Sequence, residues 1–313
     1  MSKNESFTTE EIAEILKVSK LTVYDLIKKG KLPAYRVGRQ MRVDAVDLDA
    51  FKNKTKEKLV DPREDVSNTQ FFNTQFYDPF ANIRSIIISG QDNCLDILAK
   101  HFEYKTKAYR PLRSYVGSLN GLIAMYNGEA DIVSTHLFDG ETKEYNIPYV
   151  KKLLTSHSFM VIRFITRQAG FYVPHGNPKK ITDWTDLNRP DIKILNREIG
   201  SGARILLDEQ LKLHNINKMN VNGYDQEATS HFSVAAGITQ GKADVGVGIE
   251  KNIAGIDFLP LVKENYDLVL LKTMQNKEII SLLTEILTTD ELINELQAFG
   301  YDTSNSGKII YEQ

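Results

Sequence analysis

From Arg84 to the end of the chain, short apolar runs alternate with amphipathic runs, and small polar residues stand between them. Such alternation predicts an α/β sheet, because each apolar run has strand length and each following run has helical spacing. Four of these strand-to-helix junctions stand out: Ser89-Gly90, Gly117-Ser118, Gly200-Ser201-Gly202 and Thr229-Ser230. Since open α/β sheets bind ligands at the carboxyl ends of their strands, the junctions are the first candidates for a binding site.

The junction in NREIGSGARILLDEQL, residues 196–211, resembles a phosphate-binding loop in its glycines. A Walker loop needs Lys-Ser or Lys-Thr after the glycines, whereas here Gly202 is followed by Ala203 and Arg204. The three-glycine dinucleotide pattern is absent as well. The loop therefore offers backbone N–H groups at a helix start without the residues that a nucleotide requires.

One piece of the pattern occurs twice. Gly117-Ser118 precedes a G-x-A-D-I run at Gly128, and Ser230-His231 precedes a G-x-A-D-V run at Gly241, 113 residues later. The repeat predicts two lobes of similar construction, although G-x-A-D is also a common way to return from a helix to a strand.

The first sixty residues have a different organisation. Thr8 and Glu11 have capping-box spacing before one short helix, and Ser19 precedes a second helix that ends near Gly30. Residues 35–43 then alternate around Gly38, which predicts a two-stranded wing. This segment holds 13 Lys and Arg against 9 Asp and Glu, whereas the remainder holds 26 against 32. A basic N-terminal segment with a helix-turn-helix pattern indicates contact with nucleic acid.

The patterns T-x-x-E-I-A-x-x-L, S-x-x-T-V-Y and L-P-A-Y-R-V-G-R-x-x-R-V resemble the excisionase-type, MerR-like winged helix-turn-helix family. The resemblance implies that the second helix reads bases and that the wing holds the DNA backbone. The candidate DNA-binding residues are Lys20, Thr22, Tyr24 and Lys28 on the helix, and Arg36, Arg39 and Arg42 on the wing. The alternative is a small interaction module whose arginines are only solvated.

The runs GSLNGLIAMYNGEADI, GKADVGVG, SGQDNCLDILAKHF and HLFDGETKEYNIPYV resemble type II periplasmic-binding-protein domains related to molybdate-binding proteins. The resemblance implies an N-terminal winged helix-turn-helix (1–58), a linker (59–84) that includes an aromatic run at 68–80, and an α/β two-lobe ligand-sensing domain (85–313). Lobe I would comprise 85–166 and 255–313, and lobe II 167–254. The chain would cross between lobes near 164–170 and return near 249–255, and these crossings form the expected hinge.

Four helix starts around one cleft favour an anion, because their N–H groups and helix dipoles are positive. The candidate ligand-binding residues are Ser89, Gly90, Gly117, Ser118, His136, Gly200, Ser201, Gly202, Ala203, Arg204, Thr229, Ser230 and Tyr266. The resemblance points to molybdate or tungstate. Arg204, Arg167, His136 and His231 would instead suit a carboxylate or a larger organic anion, if they face the cleft.

No metal site, cofactor or catalytic triad is expected, because the six histidines do not cluster and there is one cysteine. The start of the sequence lacks the apolar run of a secretory signal, and no window is long and apolar enough to span a membrane. Together these features predict a cytoplasmic, homodimeric transcription regulator that binds an operator and a small anionic effector. Two alternatives remain open, an enzyme built on the same domains and an architectural DNA protein. The direction of the effector's influence on DNA binding also stays open.

Overall fold

The computed structural model describes residues 6–38, 40–56 and 83–313. These residues belong to two compact units, one N-terminal and one C-terminal. Arg39 and the predicted linker up to residue 82, with its aromatic run 68–80, lie outside the described residues.

The N-terminal unit is a winged helix-turn-helix. Its elements are β1 (Ser6–Thr8), α1 (Thr9–Leu16), α2 (Lys20–Lys28), β2 (Tyr35–Val37), β3 (Gln40–Asp44) and α3 (Ala45–Lys56). The three strands form an antiparallel sheet in the order β1-β3-β2. The predicted helices and wing are confirmed, and β1 is an addition that the sequence did not predict, because its partner β3 lies far along the chain.

Local signals account for the limits of these elements. Thr8 and Glu11 form the predicted capping box at the start of α1, and Ser19 caps α2 by accepting a hydrogen bond from Thr22 N. The wing turns at Gly38, whose φ of 62° favours glycine. A small core of six buried residues holds the unit together: Ile12, Ala13, Val23, Leu32, Val43 and Leu48.

The C-terminal unit is an α/β domain. Its first half contains β4 (Arg84–Ser89), α4 (Cys94–Lys105), β5 (Tyr109–Ser114), α5 (Ser118–Tyr126), β6 (Ile132–Thr135), α6 (Ile147–Leu153) and β7 (Phe159–Pro174). There follow β8 (Asn196–Arg197), α7 (Gly202–Leu213), β9 (Glu227–Ala228), α8 (His231–Thr239) and β10 (Gly246–Ile249). The last elements are β11 (Ile256–Leu271), α9 (Lys277–Ile286), α10 (Asp290–Ala298) and β12 (Ile309–Glu312).

Two long antiparallel strands, β7 and β11, connect two lobes. The sheet runs β10-β7-β11-β6-β4-β5, and β12 also pairs with β7. The strands β6 and β12 add to one end of the long pair, whereas β10 adds to the other end. Each lobe has its own buried core on its end of the ribbon.

The position of the crossing follows from these cores. Ile165 packs in the first core and Ala169 in the second, so the outward crossing agrees with the predicted 164–170. The return lies within β11, between Val262 and Tyr266, because Val262 packs against the second core and Tyr266 belongs to the first. The predicted return near 249–255 is instead the connection between β10 and β11.

The internal repeat has a structural counterpart in both lobes. Gly117 and Ser230 are the N-cap residues of α5 and α8. In the first lobe the Asp131 carboxylate accepts a hydrogen bond from Ile87 N, and in the second lobe the Asp244 carboxylate accepts one from Lys193 N, both at 2.8 Å. The aspartate of each G-x-A-D run therefore connects the start of its strand to the segment that runs beside it.

Within the described ranges, no helix is long and apolar enough to cross a membrane.

Candidate functional site

A narrow cavity lies between the two lobes, where three helices begin. Ser118 of α5, Ala203 of α7 and His231 of α8 line it, and these belong to different lobes. The full lining is Gly90, Gln91, Asp92, Val116, Gly117, Ser118, Ser134, His136, Arg167, Arg197, Ser201, Ala203, His231 and Tyr266. The free space is about 20 Å³, on the scale of a bound water molecule. A ligand of more than a few heavy atoms would need the lobes to separate.

The helix starts give the cavity a donor-rich wall. The first-turn N–H groups of a helix have no acceptor within the helix. Ser201 covers one of them by accepting from Arg204 N, and Ser230 covers another by accepting from Ser233 N. Gly117 has no side chain that could do the same for α5. The remaining N–H groups and the three helix dipoles favour negative charge at this place.

A buried ion network borders the cavity at the crossing strands. Arg167 of β7 donates to Glu264 of β11 at 2.6 and 2.8 Å and also pairs with Asp92. Asp92 in turn accepts from Tyr301 Oη at 2.5 Å and from Cys94 N at 2.9 Å. All three charged side chains are buried, so each depends on the others for its charge partner.

The pKa values in this network follow from burial and from the arginine. Burial raises the pKa of both carboxyl groups, but the positive charge of Arg167 and the remaining charges and hydrogen bonds around each carboxylate together outweigh it. The pKa of Asp92 is held well below its usual range, and the pKa of Glu264 is lowered to about 2, with His136 contributing. Both carboxylates are therefore ionised at neutral pH.

The second arginine of the cavity joins the two lobes. Arg197 donates to the carboxylate of Glu198 at 2.8 Å and to Oε1 of Gln91, in the other lobe, at 2.6 Å. Gln91 also donates to Glu198 at 2.8 Å. Because Arg197 already has a carboxylate partner, neither arginine of the cavity carries an unpaired charge.

Two histidines face the cavity from opposite lobes. The ring of His136 stacks on Tyr266 with centroids 5.4 Å apart, and its Nδ1 lies 2.9 Å from Glu264 Oε1. Burial and the charges of Arg197 and Arg167 lower the pKa of His231 well below its usual value. His231 is therefore neutral at physiological pH. The described residues contain no group of three or more His, Cys, Asp or Glu side chains that would suit a metal ion.

The lobes touch through their backbones beside the cavity. Leu119 N donates to Gly200 O across the cleft at 3.0 Å. A Cβ atom on Gly117 would lie 2.7 Å from Gly200 O and 2.8 Å from Ser201 Cα, and one on Gly202 would lie 2.4 Å from the His136 ring. The described conformation is therefore closed, and Gly117 and Gly202 leave no room for a side chain in it.

The structure brings together seven of the predicted ligand-binding residues, which line the cavity: Gly90, Gly117, Ser118, His136, Ser201, Ala203 and Tyr266. Gly200 and Gly202 lie at the contact between the lobes. Thr229 and Ser230 line an adjoining pocket that shares Gln91, Val116 and Gly117 with the cavity.

Two further predicted residues, Ser89 and Arg204, lie outside the cavity lining, the contact between the lobes and the adjoining pocket. The Ser89 hydroxyl packs behind it, 3.0 Å from where a Cβ on Gly121 would lie. Arg204 donates to Glu227 and to Arg197 O, and its guanidinium lies over the Tyr224 ring, so its charge is used within its own lobe. This placement removes the reason to expect a carboxylate partner for Arg204 in the cleft.

The prediction of cavity residues missed Gln91, Asp92, Val116, Ser134 and Arg197, while Arg167 and His231 were candidates. Gln91 and Asp92 directly follow the Ser89-Gly90 junction, and Arg197 ends the strand before the glycine loop. Extending each junction by two or three residues on both sides would have included Gln91, Asp92 and Arg197.

The predicted DNA-binding residues differ in their surroundings. Tyr24, Lys28 and Arg36 are exposed. Lys20 pairs with Glu10, and the Thr22 hydroxyl lies 2.8 Å from Ser19 Oγ. Arg42 donates to Ser6 O and Oγ of the neighbouring strand. Arg39 lies outside the described residues.

Comparison with known families and proteins agrees with this architecture. Residues 99–288 match a family model described as the PBP superfamily domain, and residues 6–56 match a helix-turn-helix domain. The chain is 48% identical to YvgK, an uncharacterized protein of Bacillus subtilis, over the full length of both.

Two solved structures share the fold at low sequence identity. The first is a hydrogen-peroxide-bound mutant of OxyR from Corynebacterium glutamicum, with a TM-score of 0.54 and 11% identity, covering 93% of this chain and 89% of that one. The second is a Clostridium perfringens substrate-binding protein with bound phosphate, with a TM-score of 0.52 and 14% identity, covering 70% of this chain and 99% of that one.

Proposed function

Because this chain belongs to the PBP superfamily and carries a helix-turn-helix domain before its PBP-like domain, we propose that it is a transcription regulator controlled by a small oxyanion. The observation that carries the proposal is the cavity where α5, α7 and α8 begin, closed by both lobes. An effector there would favour the closed state by its differential affinity for it. The regulator would act in the cytoplasm, where its DNA partner is found.

The ligand class follows from the size and charge of the cavity. About 20 Å³ of free space is on the scale of one water molecule, so even a tetrahedral oxyanion would need the cavity to widen, and larger anions would need a greater separation of the lobes. Both cavity arginines have carboxylate partners, so an anion would be held chiefly by N–H groups and by the hydroxyls of Ser118 and Ser201. Molybdate and tungstate are the first ions to test. The phosphate in the Clostridium perfringens protein supports the wider class of oxyanions.

A small organic anion is the second candidate. It is favoured by the adjoining pocket with Tyr115, Thr229 and Ser230, which shares three residues with the cavity. A ligand that extended into this pocket would place its anionic end at the helix starts.

A thermal-shift screen of the full chain with molybdate, tungstate, sulfate, phosphate and small organic acids tests the proposal. We expect a concentration-dependent rise in melting temperature for at least one oxyanion, because a ligand that binds the folded state stabilises it. A rise with organic acids alone would favour the second candidate. Absence of any saturable shift would contradict ligand sensing at this cavity.

Ser118 and Ser89 form a matched pair for locating the ion. Ser118→Ala removes a hydroxyl that lines the cavity, and we expect about tenfold weaker binding of the stabilising ion, since a hydrogen bond to a charged group is worth about 1.5 kcal/mol or more. Ser89→Ala removes a buried hydroxyl outside the lining and is the control. Isothermal titration of both variants measures the difference. Equal affinities would remove Ser118 from the site.

The wing is proposed to hold the DNA backbone. Arg36 is exposed on β2, so Arg36→Ala should remove about one phosphate contact and flatten the salt dependence of DNA binding by about one unit. Fluorescence anisotropy over a salt series measures this slope. Lys100→Ala, an exposed cation of the C-terminal unit, serves as the control. A slope unchanged by Arg36→Ala would contradict the wing assignment. The same prediction stands for Arg39.

Two copies of the chain are expected to act together. A winged helix-turn-helix reads about one major groove, and paired heads spaced by about one helical turn of DNA read two half-sites. We propose a homodimer on this ground. Whether effector binding strengthens or weakens operator binding is measured by repeating the anisotropy titrations with the stabilising ion.

A further inference from the structure

The helix α2 presents a defined outward face. Val23 is buried in the core of the N-terminal unit, and Leu26 and Ile27 pack against that core. At about 100° per residue, the opposite side of the helix carries the positions 21, 24, 25 and 28. All four of these side chains are exposed: Leu21, Tyr24, Asp25 and Lys28.

The polar neighbours of Leu21 are held by the protein itself. Lys20 pairs with Glu10 of α1, and Thr22 contacts Ser19 at the N-cap. Lys20 and Thr22 lie to either side of the outward face. Leu21 is therefore the side chain of the first turn that lies on the outward face of α2, and 83% of its surface is exposed.

The N-terminal unit carries exposed basic side chains besides those of the first turn of α2. Lys28, Lys31 and Arg36 are exposed and form no ion pair with a described residue. Exposed positive charge on the same unit as an exposed apolar side chain fits a DNA groove, where phosphates flank the base edges. In helix-turn-helix proteins, the N-terminal residues of the second helix are those that reach base edges.

On the basis of the proposed DNA-binding function, we infer that Leu21 is a specificity-determining residue that reads the C5-methyl group of a thymine. In the major groove this methyl group is the apolar feature that marks a T·A pair, and an apolar side chain is its natural contact. Leu21 would bury its exposed surface there, whereas Asp25 is engaged with Lys29 at 2.6 Å. The reading face of α2 would thus begin with Leu21, between Lys20 and Thr22.

The test uses the full chain and removes the methyl group from the DNA. Double-stranded DNA that the chain selects from a random pool is prepared with each thymine replaced singly by deoxyuridine. We expect one position per half-site at which the replacement weakens binding by the wild-type chain on the order of fivefold, as expected for loss of one buried methyl group. Leu21→Ala should bind the thymine form and the deoxyuridine form of that position with equal affinity. Leu21→Met should retain part of the wild-type difference in affinity between the two forms.

Val46→Ala is the matched control, because Val46 is another exposed apolar residue of this unit, on α3. It should keep the wild-type response to deoxyuridine. If no thymine shows the effect, or if Leu21→Ala keeps it, the inference about Leu21 is wrong while DNA binding stands. If no DNA is selected from the pool, the proposed DNA-binding function fails, and the inference fails with it.

Discussion

Replacement of Arg167 by methionine is expected to lower the free energy of unfolding of the C-terminal unit by about 3–5 kcal/mol at neutral pH. The variant leaves Asp92 and Glu264 buried without their common guanidinium partner. The corresponding fall in melting temperature is on the order of 10 °C. Trp184 is the one tryptophan of the chain and is buried in this unit, so its fluorescence during urea unfolding measures the change.

The pH dependence of the free energy of unfolding gives a second, independent test of this network. In the wild type the lowered pKa values of Asp92 and Glu264 stabilise the fold above about pH 4, the range of unfolded carboxyl groups, and this stability is lost as the pH falls toward about 2. In Arg167→Met the two buried carboxyls lose their main counter-charge, so we expect their pKa values to rise. As the pH falls, the folded variant then takes up protons before the unfolded chain does. The difference in unfolding free energy between the variant and the wild type should therefore become smaller from pH 7 to pH 4.

Arg189→Met is the control for this experiment. Arg189 pairs with Asp186 and Asp191 at a partly exposed position, where ion pairs contribute little. Its replacement should change the unfolding free energy much less than Arg167→Met does. Arg167→Met could instead lower the unfolding free energy as little as Arg189→Met does, by an amount that does not depend on pH. In that case the network of Asp92, Arg167 and Glu264 would not contribute the stability expected of it.

The second large effect is expected from Gly117→Ala, which should weaken binding of the stabilising oxyanion on the order of 100-fold. The added Cβ would lie 2.7 to 2.9 Å from backbone atoms of Gly200 and Ser201, and backbone cannot move aside as a flexible side chain can. The lobes must then stay further apart. At φ −68° and ψ 163° an alanine is unstrained, so the lobe itself should fold normally.

This prediction has a readout that needs no ligand. Leu119 N is bonded to Gly200 O across the cleft, so its amide hydrogen should exchange faster in Gly117→Ala than in the wild type. Ile123→Ala, on the exposed side of the same helix, is the control. Unchanged exchange at Leu119 together with unchanged ion affinity would show that closure does not depend on this backbone contact.

Features that depend on neighbouring residues were predicted well. The capping box of Thr8 and Glu11, the N-cap Ser19 and the turn at Gly38 are each set by a few adjacent residues, and the winged helix-turn-helix followed from them. The helix starts at Ser118 and Ser201 were found for the same reason. The strand β1 was missed, because three residues with a distant partner leave no local signal.

The orientation of side chains was predicted less well. Ser89 and Ser118 occupy similar junctions, yet only Ser118 lines the cavity, because β4 directs Ser89 toward the back of α5. Arg204 has the guanidinium group expected of a residue that binds an anion, but this group donates to Glu227 and lies over the ring of Tyr224. Neither outcome depends on residues close by in the sequence.

The sequence by itself determined the two domain types, the helix starts and the donor chemistry of the cleft, because caps, glycine turns and apolar periodicity act over a few residues. Only the tertiary structure decided which charges meet. Asp92, Arg167 and Glu264 come from three distant segments, as do Gln91 and Arg197, and the cavity exists only where the two lobes touch. Pairing over such separations depends on how β7 and β11 place the lobes, and no local pattern records that geometry.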